Sequence, residues 1–117
     1  MSLFVCYPKC STCQKAMKFL QASDFEFVFR DIKTENPSAD EIKSWHELSG
    51  LDIQKFFNTS GLVYKSLGLK DRLKQMSLQE KYTLLATDGM LVKRPLLILK
   101  DKVLVGYKEE AYQEVVE

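Results

Sequence analysis

The chain has one histidine, one tryptophan, three cysteines and three prolines in 117 residues, and its 17 Lys and Arg are nearly matched by 16 Asp and Glu. Each scarcity removes a class of function. A formal net charge of +1, with no run of five or more like charges, offers no broad positive field for neutralising a phosphate backbone. Direct nucleic-acid binding is not expected. No stretch approaches the length of apolar sequence a membrane helix needs, and the first residues read as a strand, without the basic and apolar regions of a secretory signal. No membrane partner is expected, and the expected location is cytoplasmic. Zinc usually takes four ligands, and outside one CxxC pair the chain offers only Cys6 and His46, so no metal is expected. There is no internal repeat, low-complexity tract or linker, and 45% hydrophobic residues are enough for one core. A single domain over residues 1–117 follows.

The informative feature is Cys10-Ser11-Thr12-Cys13. It lies between a strand-like run, Leu3 to Tyr7, and a helix-like run, Gln14 to Ala22, which puts both sulfurs at the start of a helix. Unpaired N–H groups and the positive end of the helix dipole stabilise a thiolate there, and the thiolate is the reactive form. Cys10, nearer the helix entrance, is the expected nucleophile. Cys13, one turn further in, can close a disulfide with it. Cys6 sits within the strand, where an alternating side chain is either buried or turned away from this loop, and it reads as core packing. In a reducing compartment, three cysteines are better explained as free or transiently oxidised thiols than as a structural framework.

Glu26 to Arg30 is a second strand candidate, so strand, helix and strand form a right-handed parallel crossover. Ser38 to Glu41 reads as a capping box opening a helix with Ile42, Trp45 and Leu48 on its apolar face, ending before Gly50. Trp45 is the expected core anchor of this segment. Asp52 to Phe57 and Leu62 to Leu67 read as short helices. A second capping box, Ser77 to Glu80, opens a helix with Gly89 as its stop signal. Leu96 to Leu99 and Val103 to Val105 form a hairpin across Lys100-Asp101-Lys102, and Lys108 to Val116 closes the chain as a helix. The expected fold is α/β: a four-stranded mixed sheet with flanking helices, formed by residues 1–36 and 90–117, and a helical insertion over about 37–89.

The Tyr7 to Cys13 segment, the insertion with Phe57-Asn58-Thr59-Ser60-Gly61, the run Asp88 to Leu97 and Val105-Gly106-Tyr107 together resemble the ArsC/Spx family over essentially the whole chain. The resemblance implies a thioredoxin-like fold with a helical insert. It also implies two kinds of activity on one scaffold: arsenate reductases working with glutathione and glutaredoxin, and redox-sensing regulators that bind the C-terminal domain of the RNA polymerase α-subunit. Cys10 matches the cysteine that attacks arsenate, and Cys13 resembles the second member of the regulators' thiol–disulfide switch. Arg94 matches an arginine near the nucleophile in both branches, and Pro95 resembles the cis-proline facing the active cysteine. The expected site is therefore Cys10, Cys13 and Arg94 as reacting groups, with Ser11, Thr12, Asn58 and Pro95 around the substrate.

The arsenate branch surrounds its oxyanion with three arginines, and here only Arg94 has a counterpart. The segments Phe56 to Ser60 and Leu104 to Tyr107 contain none. Each missing charge-assisted partner costs about 1.5–3 kcal/mol, so two of them weaken oxyanion binding by roughly a hundredfold or more. The reading that carries most weight is a thiol–disulfide oxidoreductase, arsenate reductase-like in form, acting on a small disulfide or oxyanion with glutathione, glutaredoxin or thioredoxin as reductant and no bound cofactor. A polymerase-binding regulator is the alternative. Among the remaining polar residues, His46 is read as solvated or capping, Asn58, Thr59 and Ser60 as a turn before Gly61, and Lys9 and Lys15 as exposed charges flanking the pair.

Overall fold

The computed structural model describes residues 2–117. Strand β1, Ser2–Cys6, sends successive side chains to opposite faces, as any pleated strand does. Phe4 and Cys6 enter one apolar cluster, and Leu3 and Val5 enter another. β1 pairs in parallel with β2, Phe27–Asp31, after the crossover through α1, Ser11–Ala22. On its other side it pairs antiparallel with β3, Leu96–Ile98, which pairs antiparallel with β4, Val103–Val105. The order β2-β1-β3-β4 is that of a thioredoxin-like mixed sheet. Strand bounds differ from the sequence reading by a residue, and α1 starts at Ser11 because Cys10 takes the extended conformation of a cap.

Two layers close the sheet. α1 and α6, Glu109–Val116, cover the face carrying Phe4, Cys6 and Leu97, with Leu20 and Tyr112 fully buried between them. The opposite face, with Val5, Leu96 and Val103, packs against the insertion. The insertion runs through α2, Ala39–Ser49, a 3-10 turn at Ile53–Phe56, α3, Leu62–Ser66, α4, Leu69–Arg72, and α5, Leu78–Leu85. Further 3-10 turns lie at Leu73–Gln75 and Gly89–Leu91. Both capping boxes form. Ser38 Oγ accepts from Glu41 N–H at 3.1 Å, Ser77 Oγ accepts from Glu80 N–H at 3.1 Å, and each glutamate returns a bond to its cap's N–H. Gly50 ends α2 in the left-handed region, at φ 69°.

Two expectations about the insertion need correction. Leu48 is exposed, and the buried residues of α2 are Ile42 and Trp45. Gly89 is no helix stop, since α5 already ends at Leu85. Its missing side chain serves close packing instead: a Cβ there would fall 1.7 Å from the Ile32 carbonyl oxygen, so the end of the insertion lies directly on the backbone that follows β2. A second tie is Arg30, absent from the sequence reading. It makes paired hydrogen bonds to Glu41 at 2.6 and 2.9 Å, reaches the Glu35 carbonyl at 2.8 Å and lies over the Trp45 ring. His46, read as solvated or capping, is engaged on both ring nitrogens, with Nδ1 2.7 Å from the Tyr82 hydroxyl and Nε2 2.8 Å from the Leu51 carbonyl.

Candidate active site

The loop from β1 to α1 is held by its own backbone. Cys10 N–H donates to the Tyr7 carbonyl at 2.9 Å, Gln14 N–H donates to the Cys10 carbonyl at 3.0 Å, and the Gln14 side-chain amide donates to the Pro8 carbonyl at 2.9 Å. Cys10 is the N-cap of α1. No side chain caps this helix and no acidic residue stands in its first turn, so its dipole is not offset locally and favours a negative charge at the Cys10 end. Cys10 is partly exposed, whereas Cys13 is 1% exposed.

Cys13 is in a different environment from its partner. Its Sγ accepts the Tyr7 N–H at 3.3 Å. The side-chain hydrogen bond with Cys6, followed by burial, pushes the Cys13 thiol well above the ordinary thiol range, outweighing the opposite effects of the Tyr7 N–H and Cys10. Cys13 therefore keeps its proton at neutral pH. The reading of Cys6 as a core residue holds. It is 1% exposed and packs on the face that α1 covers, with its thiol against Cys13. The two faces were marked in the sequence: Cys6 shares strand parity with Phe4, and Cys13 falls with Ala16 and Leu20 on the apolar side of α1.

Cys10 opens onto a polar cleft of about 300 Å³ whose other walls are Thr12, Asn58, Ser60, Gly61, Lys93 and Arg94. Residues 56–58 and 91–93 meet here as a short antiparallel bridge. Lys93 N–H donates to the Phe56 carbonyl at 2.7 Å and Asn58 N–H to the Leu91 carbonyl at 2.8 Å. This pairing carries a piece of the insertion to the nucleophile. The Arg94 guanidinium lies 5.5 Å above the Tyr7 ring centre, its Nη1 is 3.5 Å from the Met90 carbonyl, and its Nε is buried without a hydrogen-bond partner. The Arg94–Pro95 peptide is cis, and the Pro95 carbonyl accepts from the N–H of Gly106, whose φ is 81°.

Of the seven residues expected at the site, Cys10, Thr12, Asn58 and Arg94 share the cleft. Cys13 lies beneath Cys10. Ser11 is exposed on the first turn of α1 outside the cleft walls, and Pro95 is buried behind Arg94. Neither is a wall of the cleft. Asn58 lines the cleft, and its carbonyl accepts the Gly61 N–H at 3.1 Å in the turn.

The family model for the ArsC family matches residues 6–115. The chain belongs to the ArsC family. It is 50% identical over 115 residues to YusI of Bacillus subtilis, an uncharacterized protein, covering 97% of this chain and 98% of that one. A crystal structure from Streptococcus mutans, described as a possible arsenate reductase, superposes with a TM-score of 0.90 at 49% identity, covering 98% and 97% of the two chains. The global transcriptional regulator Spx of Bacillus subtilis is 31% identical over 103 residues, spanning 88% of this chain and 77% of the regulator. This ArsC-family chain thus has relatives bearing both kinds of name. Its cleft presents two cations, Lys93 and Arg94, beside neutral Asn58, Ser60 and Thr12. Ser60 and Lys93 are brought to the wall by the bridge between residues 56–58 and 91–93, a long-range pairing with no local signature.

Proposed function

We propose that this protein is an arsenate reductase-like thiol–disulfide oxidoreductase in which Cys10 is the nucleophile and Cys13 the resolving cysteine. One observation carries the reading: the two sulfurs of the pair sit in opposite environments, one at the mouth of a cationic cleft and one buried and protonated beneath it. The Cys10 thiolate attacks one sulfur of a small disulfide RSSR′, forms a mixed disulfide and expels R′S⁻, which takes a proton. Cys13 then gives up its proton and attacks Cys10 Sγ, expelling RS⁻ and closing the Cys10–Cys13 bond. The substrate leaves as two thiols and the protein is oxidised by one disulfide. Glutathione, or a glutaredoxin or thioredoxin dithiol, returns it to the reduced state.

Arg94 and the open N-terminus of α1 stabilise negative sulfur at Cys10 during both steps. Stacking on Tyr7 and the Nη1 contact with the Met90 carbonyl place the guanidinium in the cleft wall. Arsenate is a poor fit to this charge set, because the family's other two arginines are missing. The test is turnover of a small disulfide and of arsenate, each with glutathione and glutaredoxin. Disulfide reduction should depend on Cys10 and be lost in Cys10→Ser, and arsenate turnover should be weak or absent. Arsenate turnover matching that of a three-arginine reductase would refute the substrate assignment.

The relationship to Spx supports a second reading, in which the same cysteine pair is a switch on a regulator that binds the C-terminal domain of the RNA polymerase α-subunit. Tight binding to that domain by the reduced or oxidised protein, with no activity toward any disulfide, would establish it in place of the first.

A further inference from the structure

The mechanism above uses two of three thiols, and the third is in contact with it. Cys6 ends β1 and Cys13 lies in the first turn of α1; both are 1% exposed and both belong to the apolar cluster between sheet and helix. The Tyr7 N–H that donates to Cys13 Sγ at 3.3 Å is the amide joined directly to Cys6. By standard backbone dimensions, this puts Cys13 Sγ no further than about 6 Å from the Cys6 Cα, near enough for a change of side-chain rotamer to bring the two sulfurs together. Cys6 and Cys13 also line a second, largely apolar cavity of about 300 Å³ with Pro8, Met17 and Phe29. It is separate from the polar cleft and gives a sulfur room to change rotamer.

We propose that Cys6 is a second partner for Cys13, so that the three cysteines form an internal disulfide relay. The inference rests on the oxidoreductase reading. Once the Cys10–Cys13 bond has formed, the Cys6 sulfur attacks Cys13 Sγ. The Cys6–Cys13 bond forms, the Cys10–Cys13 bond breaks, and Cys10 leaves with the electron pair and takes up the proton Cys6 has lost. No external oxidant or reductant enters this step, which is an isomerisation of one disulfide. It moves the oxidised pair from the rim of the cleft into the core and frees Cys10 to attack a second disulfide molecule. The protein would then hold two oxidising equivalents: the buried Cys6–Cys13 bond and a mixed disulfide on Cys10. Negative charge in this exchange develops on the departing Cys10 sulfur, where the open N-terminus of α1 stabilises it.

Tryptic mapping with fragmentation of the cross-linked peptides reads the three linkages, because cleavage after Lys9 and Lys15 separates Cys6 from the peptide holding Cys10 and Cys13, and fragmentation within that peptide tells Cys10 from Cys13. Reduced full-length protein is treated with excess bis(2-hydroxyethyl) disulfide, quenched with acid at intervals, denatured, alkylated and digested. The relay predicts an early internal Cys10–Cys13 disulfide, then a growing cross-link between the two peptides through Cys6 and Cys13. Intact mass should show a species short of two hydrogens that also carries one mercaptoethanol adduct, on Cys10. Cys6→Ala should stop at the internal disulfide and never form that species, and Cys6→Val serves if the alanine variant is not folded by circular dichroism. A wild type that holds only Cys10–Cys13, with Cys6 always alkylated, overturns the relay and leaves the oxidoreductase reading standing. Formation of Cys6–Cys13 at the wild-type rate in Cys10→Ser overturns the proposed order of steps. No disulfide of any kind overturns both readings.

Discussion

Cys10 and Cys13 are the same residue type three positions apart, and what separates them is the protein around each sulfur. Cys10 ends an extended loop at the helix entrance, partly in solvent, and Cys13 faces the sheet with its proton held by Cys6 and by burial. Alkylation of the reduced protein at neutral pH should modify Cys10 first. Cys13 and Cys6, each 1% exposed, should react only on local opening, so site-resolved labelling that finds either ahead of Cys10 contradicts the assignment. Arg94 is argued to act on charge at the nucleophile. Arg94→Ala should lower the rate of disulfide exchange about 10²-fold, in the range for losing one donor to a developing anion, and Arg94→Lys should restore part of it because a point charge lacks the planar fork. Pre-steady-state kinetics with a small disulfide measures both. An unchanged rate in Arg94→Ala would remove Arg94 from the mechanism.

Elements are fixed by signals of unequal visibility. The capping boxes of α2 and α5 were readable because Ser-x-x-Glu is local, and the structure contains every bond the motif calls for. Ser38→Ala and Ser77→Ala should each cost about 1 kcal/mol in urea unfolding. The tie between β2 and α2 was not readable, because Arg30 and Glu41 become neighbours only when the crossover places them together. Arg30 holds the Glu41 carboxyl at about 2, with help from the Ser38 N–H. A carboxyl whose folded pKa is depressed adds stability at pH above its unfolded value of 4.5 and loses it as pH falls toward about 2. With side chains 18% and 37% exposed, solvent screening reduces the effect to about 1 kcal/mol. Glu41→Gln should flatten the acid limb of the stability curve across that window, and an unaltered limb would show that the pair contributes nothing to it.

For the molecule as a whole, the sheet separates two apolar clusters, and the site lies where its edge loop meets the insertion. The insertion is held at that place by the bridge between residues 56–58 and 91–93 and by Gly89 on the Ile32 carbonyl. Gly89→Ala should therefore destabilise by several kcal/mol, or displace the insertion enough to impair the cleft, since the clash is with backbone. Chemical denaturation together with disulfide exchange rates measures it. The strands, α1, the hairpin and the capped helices were legible because hydrophobic period and end signals are short-range. Gly89 was misread because a glycine needed for close approach and one that ends a helix look alike in one dimension. Cys6 was legible as a core residue, but its contact with Cys13 was not, because strand parity gives the face of a side chain and not what the opposite layer puts against it. The most direct measurement of the central claim is thiol release in a single encounter with a small disulfide. Wild type should release two thiols per chain. Cys13→Ala should release one and retain the other half as a mixed disulfide on Cys10, and Cys10→Ser should release none at a comparable rate. An adduct retained on Cys6 or Cys13 in the reacting wild type, or exchange by Cys10→Ser as fast as wild type, would contradict it.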